Sequence, residues 1–258
     1  MKASFDKAAT TYDQSFTNTL IGKLQRNLVY EVVSKHLYQI KNILEINCGT
    51  GEDAIWLAKK GFEVTATDIS TEMIFIANSK KNLQNLNFVY ADINTISEQF
   101  SDKKFDLVFS NFGGLNCLNI DELSDFLNSV STILSEKGKL ILVIMPKNTL
   151  WEKVYFILKG KFKTAFRRAK KVVFANVDGI SVPTYYYNPK DIVNLSKTNF
   201  NYLDVKPVGF FIPPSFLEPF FKNKKGFLGL LETLESRIKN WSFLSKYADH
   251  YLIVLQKK

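Results

Sequence analysis

Three carboxylates and two glycines in the first half of the chain have the types and spacing that hold a nucleoside. Gly49 and Gly51 follow the apolar run Ile43-Leu44-Glu45-Ile46-Asn47-Cys48 and precede a helical segment from Ala54 to Lys60. Glycine permits positive φ and a close ligand approach. The helix start behind it presents unpaired N–H groups to anything polar or anionic. Glu45 interrupts a run that a buried parallel strand should keep apolar. A carboxylate there needs a polar ligand or neighbouring N–H groups to offset its burial. Asp68 closes the next β run, from Phe62, roughly twenty residues past the turn, where a carboxylate accepts from two vicinal ribose hydroxyls. Asp92 closes a third run, Asn87-Phe88-Val89-Tyr90-Ala91, and Asn111-Phe112 follow a fourth, Phe105 to Ser110.

The glycine turn has two readings. Gly49-x-Gly51-x-x-Ala54 is a permitted form of the dinucleotide fingerprint, which would make the chain an NAD(P)-dependent oxidoreductase. Glu45-x-Asn47-x-Gly49-x-Gly51 resembles the first motif of the class I S-adenosylmethionine-dependent methyltransferases, in their small-molecule, quinone-biosynthesis-like branch. Asn47 departs from that motif by replacing its first glycine, but Asn tolerates left-handed backbone well. The resemblance implies S-adenosylmethionine as cofactor, cradled by Glu45, Asn47, Cys48, Gly49 and Gly51. It implies Asp68 and Ile69 at the ribose, with Met73 in the following helix that Ser70 caps. It places Asp92 on the adenine amino group with Ile93 along the ring, and Asn111, Phe112 and Asn116 near the methionine end and the acceptor. An acid at position 92 is not required by a dehydrogenase, so it favours the methyltransferase reading. Phe5-Asp6-x-x-Ala9-x-x-Tyr12-Asp13 resembles the amino-terminal segment that folds over the cofactor, which makes Tyr12 a lid candidate.

These residues need a scaffold to bring them together. Alternating strands and helices with short connections predict right-handed crossovers and a parallel sheet. With the resemblance, the expected fold is α/β, a Rossmann-like seven-stranded mostly parallel sheet with helices on both faces. A terminal antiparallel strand closes the sheet, and a helix–hairpin cap is inserted after the fifth strand. The expected divisions are residues 1–40 as a helical lid segment, 41–146 as the donor-binding core, 147–188 as the basic cap, and 189–258 completing the sheet. Asp178-Gly179 between two β runs signals the cap hairpin. An amphipathic helix is expected from Leu20 to Leu37, with Leu24, Leu28 and Val32 on its apolar face.

At 258 residues, 46% hydrophobic and 23% charged, the chain has the composition of an ordinary globular protein. No apolar run reaches the roughly 18 residues of a membrane span. The amino terminus lacks a signal-peptide core, and Cys48 and Cys117 indicate no disulfide framework, so a cytoplasmic location is expected. No metal site is expected. Both thiols and both histidines, His36 and His250, read as structural. Tyr12, Asn116 and Tyr185 are the positional candidates for catalysis, in a mechanism dominated by proximity. The net charge of +9 concentrates between Lys147 and Lys171, where Glu152 is the only acid. That cap could hold an anionic substrate, a carrier protein or a lipid surface. The function expected is methyl transfer to a small apolar or aromatic acceptor. The alternatives are an RNA methyltransferase, favoured by charge, the oxidoreductase, and a non-catalytic nucleoside-binding module. Asn111-Phe112-Gly113-Gly114 lacks the Pro-Pro-aromatic sequence of amino-directed nucleic-acid methyltransferases, which argues against a nucleic-acid partner.

Overall fold

Among the described residues nine strands form in chain order: β1 (Asn42–Ile46), β2 (Glu63–Asp68), β3 (Leu86–Tyr90), β4 (Phe105–Ser110), β5 (Leu134–Ile144), β6 (Val173–Val177), β7 (Ile180–Thr184), β8 (Phe200–Val208) and β9 (His250–Lys257). The computed structural model describes residues 5–258; Met1 to Ser4, part of the expected lid segment and of the amino terminus read for an export signal, lie outside the described residues. Seven strands make one sheet in the order β3-β2-β1-β4-β5-β9-β8, and β6 and β7 pair separately. The five strands from β1 to β5 run parallel, and β9 lies antiparallel between β5 and β8. A dinucleotide sheet would continue 3-2-1-4-5-6 in parallel. The antiparallel wedge between β5 and β8 is the expected terminal hairpin.

Alternation along the strands sends side chains to opposite faces. Leu44, Val108, Leu140 and Leu142 pack with Leu123, Phe126 and Val130 from helix Ile120–Ile133 on one face. Ile43, Leu107, Phe109 and Ile141 pack with Val29 and Val33 from helix Leu20–Ser34, and with Leu57 from helix Glu52–Lys59, on the other. Two Asn capping boxes fix helix starts locally, Asn119 with Glu122 and Asn188 with Asp191. Asp178 (φ 47°) and Gly179 (φ 85°) make the β6–β7 turn, as their dipeptide indicated.

Helix Leu20–Ser34 differs from expectation in two ways. It stops before Leu37, because Lys35 and His36 bond three residues back, to Val32 and Val33, and tighten the last turn. Its innermost face runs through Ile21, Gln25, Arg26 and Val29, while Leu24 and Leu28 are only half-buried. The helix thus directs two polar side chains inward, and both belong to the clusters described next. Among the described residues, no helix is long and apolar enough to cross a membrane, and no His, Cys, Asp and Glu cluster could hold a metal ion.

Candidate functional site

The β1–helix loop has the backbone its sequence required. Asn47 (φ 57°), Gly49 (φ 53°) and Gly51 (φ 82°) are all left-handed. A Cβ on Gly51 would come within 2.5 Å of the Phe88 ring, so conformation and space both demand glycine there. Asn47 packs its side chain against Gly114 in the loop after β4, where a Cβ would meet it at 2.5 Å. The Gly49 N–H donates to Asp68 Oδ2 at 2.9 Å, and the Ser70 N–H donates to Asp68 Oδ1 at 2.8 Å. A carboxylate has about four lone-pair sites, so both oxygens keep room for vicinal hydroxyls. Burial raises the Asp68 pKa against these N–H bonds, which act to lower it. Ile69 is exposed beside it, and Met73 is buried with its N–H accepted by Ser70 Oγ at 3.2 Å.

Asp92 caps the short turn at Ile93–Thr95, where its Oδ1 accepts from the Asn94 N–H at 2.9 Å and from Asn94 Nδ2 at 3.0 Å. The expected adenine contact therefore falls to Oδ2. Ile93 packs at the edge of the core below.

The amino-terminal segment closes over this loop. Ser70 Oγ donates to Asp6 Oδ1 at 2.5 Å, Thr50 Oγ1 donates to Asp13 Oδ1 at 2.6 Å, and Lys80 reaches Asp13 Oδ2 at 2.8 Å. Thr11 Oγ1 donates to Asp178 Oδ2 at 3.0 Å, joining the segment to the cap hairpin. Tyr12 lies against Gly49, and burial pushes its phenol up to about 12 although Arg26 opposes the shift. It is a neutral wall near neutral pH rather than a proton acceptor.

Behind the glycine loop, Glu45 and Asn111 meet three polar residues that sequence reasoning missed, Arg26, Tyr30 and Asp53. Arg26 Nε stands 2.9 Å from Asp53 Oδ1, with both side chains buried. Tyr30 donates to Asp53 Oδ1 at 2.7 Å, and Asn111 Nδ2 donates to Asp53 Oδ2 at 3.0 Å. The Arg26 guanidinium sits 5.5 Å from the Phe16 ring and 5.6 Å from the Phe112 ring, within cation–π range. Glu45 is 1% exposed, and its Oε2 is buried with no hydrogen-bond partner among the described residues. Burial and then the Asp53 charge raise its pKa well above the usual value, with Arg26 opposing. The signal for this cluster was the Gln25-Arg26 pair on a helix face that should otherwise be apolar.

The loop after β4 forms the far wall. Phe112 holds φ 40°, a conformation rare for a bulky residue. Its ring packs edge-on to His250 at 5.4 Å. His250 had read as structural, yet its Nδ1 lies 3.3 Å from Asp249 Oδ2 at this wall. Burial would raise the Asp249 pKa, but His250, Arg168 and Gln25 together hold it well below the carboxylate range.

Asn116 is committed elsewhere. Its Nδ2 donates to the Met145 carbonyl at 3.2 Å and the Tyr185 carbonyl at 2.6 Å, while its Oδ1 accepts the Met145 N–H at 2.9 Å. That geometry staples the cap to the end of β5. Tyr185 enters through its backbone, donating its N–H to the Asn116 carbonyl at 2.7 Å, and its ring packs on the core. Burial raises both thiols, Cys48 strongly and Cys117 to about 11, so neither is a thiolate near neutral pH.

Fold and site together define an α/β sheet at whose carboxyl ends, those of β1, β2, β3 and β4, the glycine loop, the acids and the amino-terminal segment converge. Residues 43–138 match the methyltransferase-domain family. The uncharacterized protein MJ1252 of Methanocaldococcus jannaschii is 30% identical over 233 residues, which is 85% of this chain and 86% of that protein. Malonyl-[acyl-carrier protein] O-methyltransferase 2 of Ilyobacter polytropus is 31% identical over 154 residues; the match spans 58% of this chain and 55% of the relative. A solved S-adenosylmethionine-dependent methyltransferase from Methanosarcina mazei shares the fold with a TM-score of 0.59 at 21% identity, over 88% of this chain and 96% of that one. The chain belongs to the class I S-adenosylmethionine-dependent methyltransferases. The dinucleotide reading of Gly49-x-Gly51-x-x-Ala54 is thereby set aside.

Proposed function

We propose that this protein transfers a methyl group from S-adenosylmethionine to a small, apolar or aromatic acceptor. The observation that carries the reading is the buried pair Glu45 and Arg26 beside the glycine loop, one with an unpartnered oxygen and the other a guanidinium between two rings. An amino-acid end offers an ammonium to the first and a carboxylate to the second. Asp68 and Asp92 Oδ2 would hold the ribose and adenine, as the motif implies. The bound sulfonium supplies an activated methyl group.

The chain's own part is orientation and exclusion of water. Holding two reacting groups aligned can supply about 7–11 kcal/mol of a barrier in favourable systems. Residues 5–40 act as the lid, 41–146 as the donor-binding core, 147–188 as the acceptor cap, and 189–258 as the completion of the sheet. Phe16, Phe112 and His250 give the acceptor side an aromatic wall, which supports a flat or apolar acceptor. A hydroxyl acceptor would find an imidazole there, His250, with Asp249 beside it. The Ilyobacter relative, named for methylating malonyl-[acyl-carrier protein], supports a non-nucleic-acid substrate class. Labelled S-adenosylmethionine incubated with a cell extract should place label in the organic-extractable fraction. Label confined to RNA, with RNA affinity falling steeply in salt, would establish the rival reading.

Two substitutions test the donor site. Asp68→Asn should weaken S-adenosylhomocysteine binding by roughly 10–100-fold, the worth of one or two hydrogen bonds to a charged group. An unchanged dissociation constant by calorimetry would remove Asp68 from the site. Glu45→Gln should act in opposite directions on stability and affinity. The folded pKa of Glu45 lies above its usual 4.5, so the folded chain binds the proton more tightly than the unfolded one. Stability is therefore greatest below that usual value and falls as pH rises through the raised one. At pH ~7 the glutamine variant should unfold at a higher temperature than the parent, and near pH ~4 the two should converge. Its affinity for the donor should fall, and the proton release that accompanies binding to the parent should vanish.

A further inference from the structure

The cap carries an exposed apolar ridge set among lysines. Helix Leu150–Leu158 turns Trp151 and Tyr155 inward, with ring centres 6.1 Å from Phe221 and 5.5 Å from Phe216. Val154, 51% exposed, and Leu158, 82% exposed, continue the same stripe toward solvent. The chain then turns through Gly160 (φ 69°, open space around it) into the short helix Phe162–Ala165, and Phe162 and Phe166 stand 62% and 54% exposed. Fully burying a side chain of this size is worth about 1.5–3 kcal/mol, so the fold forgoes much stabilisation along this ridge.

The charge around the ridge is not what the sequence count suggested. Nine cations lie between Lys147 and Lys171, and the structure consumes three of them. Arg167 and Arg168 both pair with the buried Glu152, Arg168 also with Asp249, and Lys147 pairs with Asp191. Lys159, Lys161, Lys163, Lys170 and Lys171 are exposed and have no acidic partner among the described residues. In Leu158-Lys159-Gly160-Lys161-Phe162-Lys163 the apolar and cationic groups interleave on one projecting turn.

That interleaving suits a boundary in which acyl chains and phosphates lie a few ångström apart. Apolar groups enter the acyl region while lysine stems extend their ammonium groups to the headgroups. An RNA would engage the lysines and the ring faces but would leave Val154 and Leu158 in water. An acidic protein surface would do the same. We infer that this ridge docks the protein on the surface of an anionic lipid bilayer. The inference does not depend on the methyl-transfer reading, because it rests on the outer face of the cap.

The test is co-sedimentation of the full chain with phosphatidylcholine vesicles, and with vesicles in which about one third of the lipid is phosphatidylglycerol. Binding to the anionic vesicles only, weakened by salt, is expected. Each lysine near such a surface contributes roughly a fivefold factor, so reversing Lys159, Lys161 and Lys163 to glutamate should weaken partitioning by roughly a hundredfold or more. Leu158→Ser with Phe162→Ser should weaken it while leaving the unfolding midpoint unchanged, since both side chains are exposed. Reversal of Lys103 and Lys104, which precede β4 at the other end of the strands, changes net charge without touching the ridge and should have little effect. Equal loss from the Lys103/Lys104 variant would reduce the effect to net charge and overturn the inference. So would wild-type binding by the Leu158/Phe162 variant, or the absence of sedimentation with anionic vesicles. RNA binding lost with the same lysines but untouched by Leu158→Ser would assign the ridge to nucleic acid instead.

Discussion

Arg26→Met should lower the thermal midpoint by roughly 10 °C and abolish donor binding. Among the described residues Arg26 is the only cation in contact with buried Asp53, and it opposes the charges that raise the Glu45 pKa. Breaking a buried ion pair from one side costs about 3–5 kcal/mol, because the surviving charge stays buried. For a domain of this size each kcal/mol moves the midpoint by about 2–4 °C. Adding Asp53→Asn to the variant should recover part of the stability loss. Donor binding should not return with that second change, since the guanidinium between Phe16 and Phe112 is still missing. A midpoint within about 2 °C of the parent would mean that the pair is not a structural element of the site.

Glu235→Ala should be as damaging to stability, for a different reason. The side chain is fully buried on helix Lys225–Ile238 and accepts four successive backbone N–H groups. Oε1 takes Gly209 at 3.1 Å and Phe210 at 3.0 Å, and Oε2 takes Phe211 at 2.6 Å and Ile212 at 3.0 Å. Alanine would orphan all four donors at about 1–3 kcal/mol each, less than additively, so a loss of about 4 kcal/mol or more is expected. The damage should reach the cap and the far wall. The Phe211 carbonyl accepts the Trp151 indole N–H at 3.1 Å, and the Gly209 carbonyl accepts the Asp249 N–H at 2.9 Å. Glu235→Gln should also destabilise, because its amide would turn an N–H₂ group toward two donors. Denaturant unfolding checks both; a loss below about 1 kcal/mol for alanine would show that water re-satisfies the turn.

What could be read in advance was what lies close together in the chain. Asn47, Gly49 and Gly51 announced a left-handed turn because their side chains permit it, and Asp178-Gly179 announced a hairpin for the same reason. The order of strands and helices led to the parallel sheet, and the resemblance led to the antiparallel β9. The groups that could not be read pair across the fold: Arg26 with Asp53, Arg168 with Asp249, Glu235 with residues 209–212. Nothing local marks such a partner; only the topology brings the two ends together. The lysine and arginine run from 147 to 171 overstated the free charge for the same reason, since Arg168 is buried and both arginines serve Glu152. The resemblance placed Asn116 near the acceptor, but its amide is spent on the Met145 and Tyr185 backbone. His250 was passed over because a histidine opening a closing strand has no visible partner until Phe112 and Asp249 are set beside it.

The most direct test is thermal unfolding with S-adenosylmethionine, S-adenosylhomocysteine and NAD in parallel. A ligand at a hundred times its dissociation constant adds about 2.7 kcal/mol to stability, which at this size is a shift of roughly 5–10 °C. The two adenosyl ligands should each raise the midpoint of the parent, should fail to do so for Arg26→Met, and NAD should do nothing. A shift with NAD alone, or no shift with either adenosyl ligand, would contradict the assignment of the glycine loop as the methyl-donor site.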